Sequence, residues 1–457
     1  MHDGMGFITQ HIALTNEFEL AIQVTTLFAR GSMSEADRLA PLVSRQAVNP
    51  VLTVPYWDYT YDKAQVDNGT IANIWESSVW DSTMFGSSDG ALNTVTEGRW
   101  AYFRIATNLT ASHAMTTSPY GYLRAPWNVN KSPYLTRIPD VCGVKKWGSW
   151  PSCQTHYDVT FRQNPLVPLT SPAKLTEVLC LLSSGYYDMW YNYVWGASYT
   201  PHGPVHTLIG GYSNCQSQLD DLGLQLGIDN STIADLKYAV VTYLKGAWRA
   251  GLLDSPTCSV DTPQGDCHMQ CASDPTKDED FVLKAADYID TQVTSKWVKD
   301  LEASARTKVV ETVLCKVPYI SGDQLEAGSP SDPSFWPIHP TVDRLLQYRR
   351  MVNDFLFPQW SNPTGDTSFC LTGNGCTGHH EDDIAPFQTR YVLPSGDFVV
   401  GKLTNAEIFN ISNPSAYRLA YIYEHFTWAH CDAQGWEFIP PMTCKSVLPL
   451  PAWPPTL

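Results

Sequence analysis

A chain of 457 residues, 12% aromatic and only 17% charged, can bury a large core and lacks the composition of a disordered segment. Its formal net charge of −16 repels polyanions, so nucleic acid is set aside as a partner. No run of about 18 consecutive apolar residues offers a membrane span.

In chain order, apolar residues at Ile8, Ile12, Phe18, Ile22 and Leu27 recur at helical spacing and predict a helix over 8–30. A second helix is expected over 34–47, opened by Ser34 as N-cap with Asp37 in its first turn. The Leu- and Tyr-rich stretch 173–195 and the stretch 231–252, capped by Ser231 or Thr232, predict two more. One or two helices fit 279–317, and another fits 341–355. Strand signals are few, over 389–393 and 398–402. Long Pro-, Gly- and Ser-rich loops separate these elements, so the chain reads as a mainly α domain. Residues 212–330, cysteine-rich at 258–271, read as an insertion.

Twelve cysteines are present, and Cys142, Cys153, Cys215, Cys258, Cys267, Cys271, Cys370, Cys376 and Cys444 sit in loop-like surroundings. An even count in such segments reads as a disulfide framework made in an oxidising compartment. Five N-glycosylation sequons, at Asn68, Asn108, Asn130, Asn230 and Asn410, agree with secretion. The opening Met-His-Asp-Gly-Met-Gly-Phe has neither the basic start nor the apolar run of a signal peptide.

Of the twelve histidines, five stand out: His2, His11, His202, His206 and His339. His202 and His206 are four apart and share one face of a helix, which brings two imidazoles to one metal ion. Spacing alone leaves open both a metal site and an accident of composition. The surrounding motifs go further. His2 and His11 are followed by Phe18-Glu19, and then come Pro55-Tyr56-Trp57-Asp58 and His202-Gly-Pro-Val-His206 before Gly210-Gly211. Asp332-Pro-Ser-Phe335-Trp-Pro-Ile-His339-Pro-Thr-Val-Asp343-Arg344 and Tyr421-Ile-Tyr423 close the series.

In this order the set resembles the type 3 copper proteins: tyrosinases, catechol oxidases and haemocyanins. The resemblance spans roughly residues 2–425, leaving 426–457 as a short tail. It implies a four-helix core carrying a dinuclear copper site, with each copper held by three imidazoles and O2 bound between them. His2 and His11 would serve the first copper, and His202, His206 and His339 the second. Phe335 would stack on the substrate ring, with plain core packing as its other reading, and Gly203 would line the substrate site. Asp343, Arg344 and Glu19 would be supporting residues.

The family's third ligand to the first copper lies upstream of the His2 position, where only Met1 stands. That gap and the missing signal peptide together predict an N-terminally truncated form of a longer secreted protein. Many tyrosinases carry Asn directly after the first histidine of the second motif and Glu nine residues before it, but Gly203 and Tyr193 stand here. Neither serves as a base for a phenol proton. The implied activity is therefore oxidation of o-diphenols to o-quinones by O2, with monophenols as a further option. The alternative is a non-enzymatic type 3 copper protein, either an O2 carrier or a relative with an incomplete first site. Cys258, Cys267, His268 and Cys271 fit disulfides better than zinc. His379 to Asp383 fits a solvated loop, and His425 and His430 fit structural roles.

Overall fold

The computed structural model describes residues 4–29, 53–90, 93–107, 117–145, 149–161, 189–352, 354–356, 358–360 and 377–438. They are mainly helical, with three two-stranded antiparallel ribbons. The helices expected over 34–47 and over most of 173–195 lie outside the described residues. The chain divides into two compact units, Met1–Gln65 with Pro151–Gly203 and Trp336–Leu457, and Val66–Trp150 with Pro204–Phe335.

In the first unit the predicted N-terminal helix is Phe7–Ala29. It buries Phe7, Ile8, Ile12 and Ala13 in a core shared with Trp190, Val194, Val342, Leu346, Ile408 and Phe409. The last predicted helix starts earlier than expected, at Phe335, and runs to Val352. Pro337 lies in its first turn, where the missing N–H has no helical acceptor to lose, while Pro340 lies inside the helix. The Pro55-Tyr56-Trp57-Asp58 stretch is tied to this helix. Trp57 N–H donates to the Pro337 carbonyl at 2.8 Å, and the Thr341 hydroxyl donates to the Trp57 carbonyl at 2.5 Å.

Arg344 is almost fully buried and acts as a clamp. It donates to the carbonyls of His425 and Thr427 and to the Asp58 carboxylate, at 2.8, 3.0 and 3.1 Å. Its guanidinium lies over the rings of Trp428 and Tyr56, at 4.1 and 4.5 Å. The two predicted strands pair as Thr389–Val392 with Phe398–Gly401. Thr404 and Glu407 form a capping box that opens the helix Asn405–Ile411. Cys153 and Cys431 are joined across 278 residues of sequence.

The second unit takes in the stretch read as an insertion together with residues 66–150. Helices Gln216–Leu226, Asn230–Tyr238, Val240–Arg249, Glu279–Gln292 and Ala303–Val310 bury Leu219, Leu236, Tyr243, Leu244, Ile289 and Val309 in its core. The cap expected at Ser231 or Thr232 falls at Asp229, whose carboxylate accepts from both of those backbone N–H groups. An ionised carboxylate is the stronger acceptor at a helix N-terminus, and it adds a favourable charge there. Disulfides join Cys142 to Cys215, Cys258 to Cys267 and Cys271 to Cys315, which removes the zinc reading of this segment, while the expected Cys370, Cys376 and Cys444 lie outside the described residues. Two fully buried ion pairs, Arg124 with Asp323 and Arg137 with Asp332, fix the chain on either side of the loop leading to Phe335. Gly211 has φ +61°, and a Cβ there would lie 2.1 Å from the Ile138 carbonyl oxygen, so no larger residue fits that turn.

Candidate metal centre

Within the first unit three histidines from three separate elements converge. His11 lies in the second turn of Phe7–Ala29, His202 ends a π-helical turn at Ser198–His202, and His339 lies near the start of Phe335–Val352. The His11 and His339 rings stack with centroids 4.5 Å apart and planes within 3°. His202 stands edge-on to His339 at 4.6 Å and lies 6.1 Å from His11. Phe7 packs against both His11 and His202, at 4.8 and 5.2 Å. All three imidazoles are at most 4% exposed.

His206 follows His202 by four residues, in the helix Gly203–Gly210. Its Nδ1–H donates to the Gln324 carbonyl at 2.8 Å, and its ring lies 5.9 Å from Phe335. Burial pushes its imidazole down to about 4, so the ring is neutral at physiological pH. His11 is held in a similar way: its Nδ1–H donates to the Phe7 carbonyl at 2.6 Å. A carbonyl acceptor on one ring nitrogen sets the tautomer of each imidazole. Within the first unit the ligand atoms of His202 and His339 lie within 4.8 Å of each other, whereas His206 belongs to the second unit.

A network of side chains holds the Gln324 acceptor. Gln324 Nε2 donates to Ser334 Oγ at 2.6 Å, Ser334 donates to Asp332 at 2.8 Å, and Arg137 grips Asp332 with two bonds of 2.8 and 2.9 Å. None of this was legible in the sequence, because 195 residues separate Arg137 from Asp332 and buried pairing leaves no local pattern.

Beside His11 and His339 a small pocket is lined also by Thr15, Asp343, Tyr421 and Tyr423. Asp343 accepts from the phenols of Tyr421 and Tyr423 at 2.5 and 2.9 Å, and burial pushes its carboxyl up to about 6. The Tyr-x-Tyr motif thus braces the helix that carries His339. Glu19 pairs with Arg390 at 3.0 Å, consistent with a supporting part.

Of the other expected site residues, His2 lies outside the described residues. Phe335 is buried at 2% exposure beside His206. Gly203 has a local reason of its own: a Cβ there would come within 2.9 Å of the Ser198 carbonyl oxygen of the π-helical turn. Tyr193 is fully buried and its phenol is pushed up by desolvation, so it stays protonated and cannot act as a base. No protein-family model matches the chain, and no curated protein matches it.

Proposed function

We propose that this chain is a type 3 copper protein that oxidises o-diphenols to o-quinones with O2. The observation that carries the reading is the convergence of the buried imidazoles of His11, His202 and His339 from three distant stretches of sequence. An all-imidazole donor set suits copper, and also zinc, iron or nickel. The ordered motifs from His11 to Tyr423 favour copper among these. When bound, copper would supply the one-electron and O2 chemistry that no side chain provides.

The chain's own residues would act on geometry and protonation. His202 and His339 would ligate one ion, and His11 would belong to the neighbouring one. The Gln324 carbonyl holds the proton of His206 on Nδ1. Phe7 shields the His11 and His202 rings from water. Phe335 would offer an aromatic face to the substrate ring. With Gly203 and Tyr193 at the positions discussed above, no base is supplied there for a phenol proton, so o-diphenols are preferred to monophenols.

The test is to load the full chain with copper, quantify bound metal, and follow O2 uptake and quinone absorbance with catechol. Stoichiometric copper and turnover are expected, both lost in His339→Ala. Reversible O2 binding without turnover would replace the enzyme with a carrier. Failure of the folded chain to retain copper would overturn the metal assignment itself.

A further inference from the structure

Five sequons are indistinguishable as sequence patterns, and the fold separates them. Asn68 follows the helix Tyr59–Asp67 in an exposed turn made by Asn68, Gly69 and Thr70. Gly69 has φ +76°, and nothing lies within 4 Å of the point where its Cβ would stand. The backbone N–H and the hydroxyl of Thr70 both donate to Asn68 Oδ1, at 3.0 and 2.6 Å. Neither bond uses the Nδ2 amide nitrogen, and the turn stands in open solvent.

Asn130 has the same local bond, since the Ser132 N–H donates to its Oδ1 at 2.9 Å. Its surroundings are the opposite. It is only 3% exposed, and its Nδ2 donates to Thr136 Oγ1 at 2.9 Å and to the Ser321 carbonyl at 3.4 Å. A sugar on that nitrogen would remove a donor from the buried network and demand volume in a packed interior. At Asn230 and Asn410 the asparagine is exposed but the sequon hydroxyl is committed elsewhere. Thr232 donates to Asp229 at 2.7 Å, and Ser412 is buried and donates to the Phe409 carbonyl at 2.7 Å. Asn108 lies outside the described residues.

We propose that Asn68 is a site of N-linked glycosylation in this protein and that Asn130 remains unmodified in the folded chain. The donor is a lipid-pyrophosphate-linked oligosaccharide. Asn68 Nδ2 bonds to the anomeric carbon of the first sugar, the bond from that carbon to the pyrophosphate oxygen breaks, and the lipid pyrophosphate leaves with the electron pair. The amide gives up one proton to the transferase. No oxidant or reductant is needed. The inference is independent of the metal reading, and it rests on the chain's passage through a glycosylating compartment, to which the disulfides and sequons point.

The test is to direct the full chain into the secretory pathway of a eukaryotic cell behind a cleavable leader, and to purify the folded, secreted fraction. Digestion with N-glycosidase converts each released asparagine to aspartate, which marks it in peptide mass spectra. The mark is expected on the Asn68 peptide and absent from the Asn130 peptide. Asn68→Gln and Thr70→Ala should each lose one glycan increment on a gel, whereas Thr70→Ser should keep it. All three substitutions lie on an exposed turn and leave the core untouched. A folded, secreted product with Asn68 unmodified, or with a glycan on Asn130, would overturn the proposal.

Discussion

His156 offers a sharp test of the buried electrostatics in the first unit. It lies in the helix Cys153–Phe161, is fully buried, and neither of its ring nitrogens has a hydrogen-bond partner among the described residues. Tyr59 meets its ring edge-on at 5.3 Å. Burial pushes its imidazole down to about 4, with Asp58 pulling up and Arg344 and His430 pushing further down. The folded value lies below the 6.5 of an unfolded histidine, so the unfolded chain takes up the proton first. Stability from this group is therefore intact above pH 6.5 and is lost as pH falls towards 4. At about 1.4 kcal/mol per pH unit the loss across the window reaches about 3 kcal/mol. The assay is urea unfolding of the metal-free protein at a series of pH values, comparing the parent chain with His156→Leu. The variant should match or exceed the parent near pH 7, where an unbonded buried imidazole costs about 1–3 kcal/mol. Its advantage should then widen by about 3 kcal/mol on the way to pH 4. Parallel stability curves across that window would refute the reasoning, because they would mean that His156 titrates alike in both states.

Breaking the pair that anchors the loop before Phe335, by Asp332→Asn, leaves Arg137 buried without its counter-charge. A loss of about 3–5 kcal/mol is expected in thermal or denaturant unfolding. Gly203→Ala presses a methyl group towards the Ser198 carbonyl, and a cost of about 1–3 kcal/mol is expected in unfolding experiments. An unchanged midpoint there would leave this glycine without a structural reason. Removing the guanidinium clamp by Arg344→Met should release the His425–Thr427 segment, read as faster amide exchange at those residues than in the parent chain.

The periodic parts of this fold were readable from local pattern. The apolar spacing of Ile8 and Ile12 located the first helix, and the short β-rich runs around Tyr391 and Val399 located the hairpin. Boundaries failed where one residue outweighed the pattern. The helix expected from 341 starts at Phe335 and carries Pro340 inside it, and Asp229 displaced the expected hydroxyl caps. Histidine spacing on one helix was visible. The stacking of His11 on His339 was not, because it joins residues 328 positions apart in the chain and depends on packing alone. The π-helical turn before His202 has no sequence signature beyond Pro201 and Gly203. The second unit could be guessed only as an interruption, since no single local signal says that residues 66–150 share its core.

The long-span bridge between Cys153 and Cys431 has a consequence for synthesis. Every residue of the second unit has been synthesised once Phe335 is made, so that unit can fold before the first. The first unit must wait for Cys431, about 100 residues later, which at 5–20 residues per second is a delay of roughly 5–20 s. During that interval the helix that bears His11 is present without the helices that complete its core. A chain terminated before Cys431 would emerge with Cys153 as an unmatched thiol, open to mispairing.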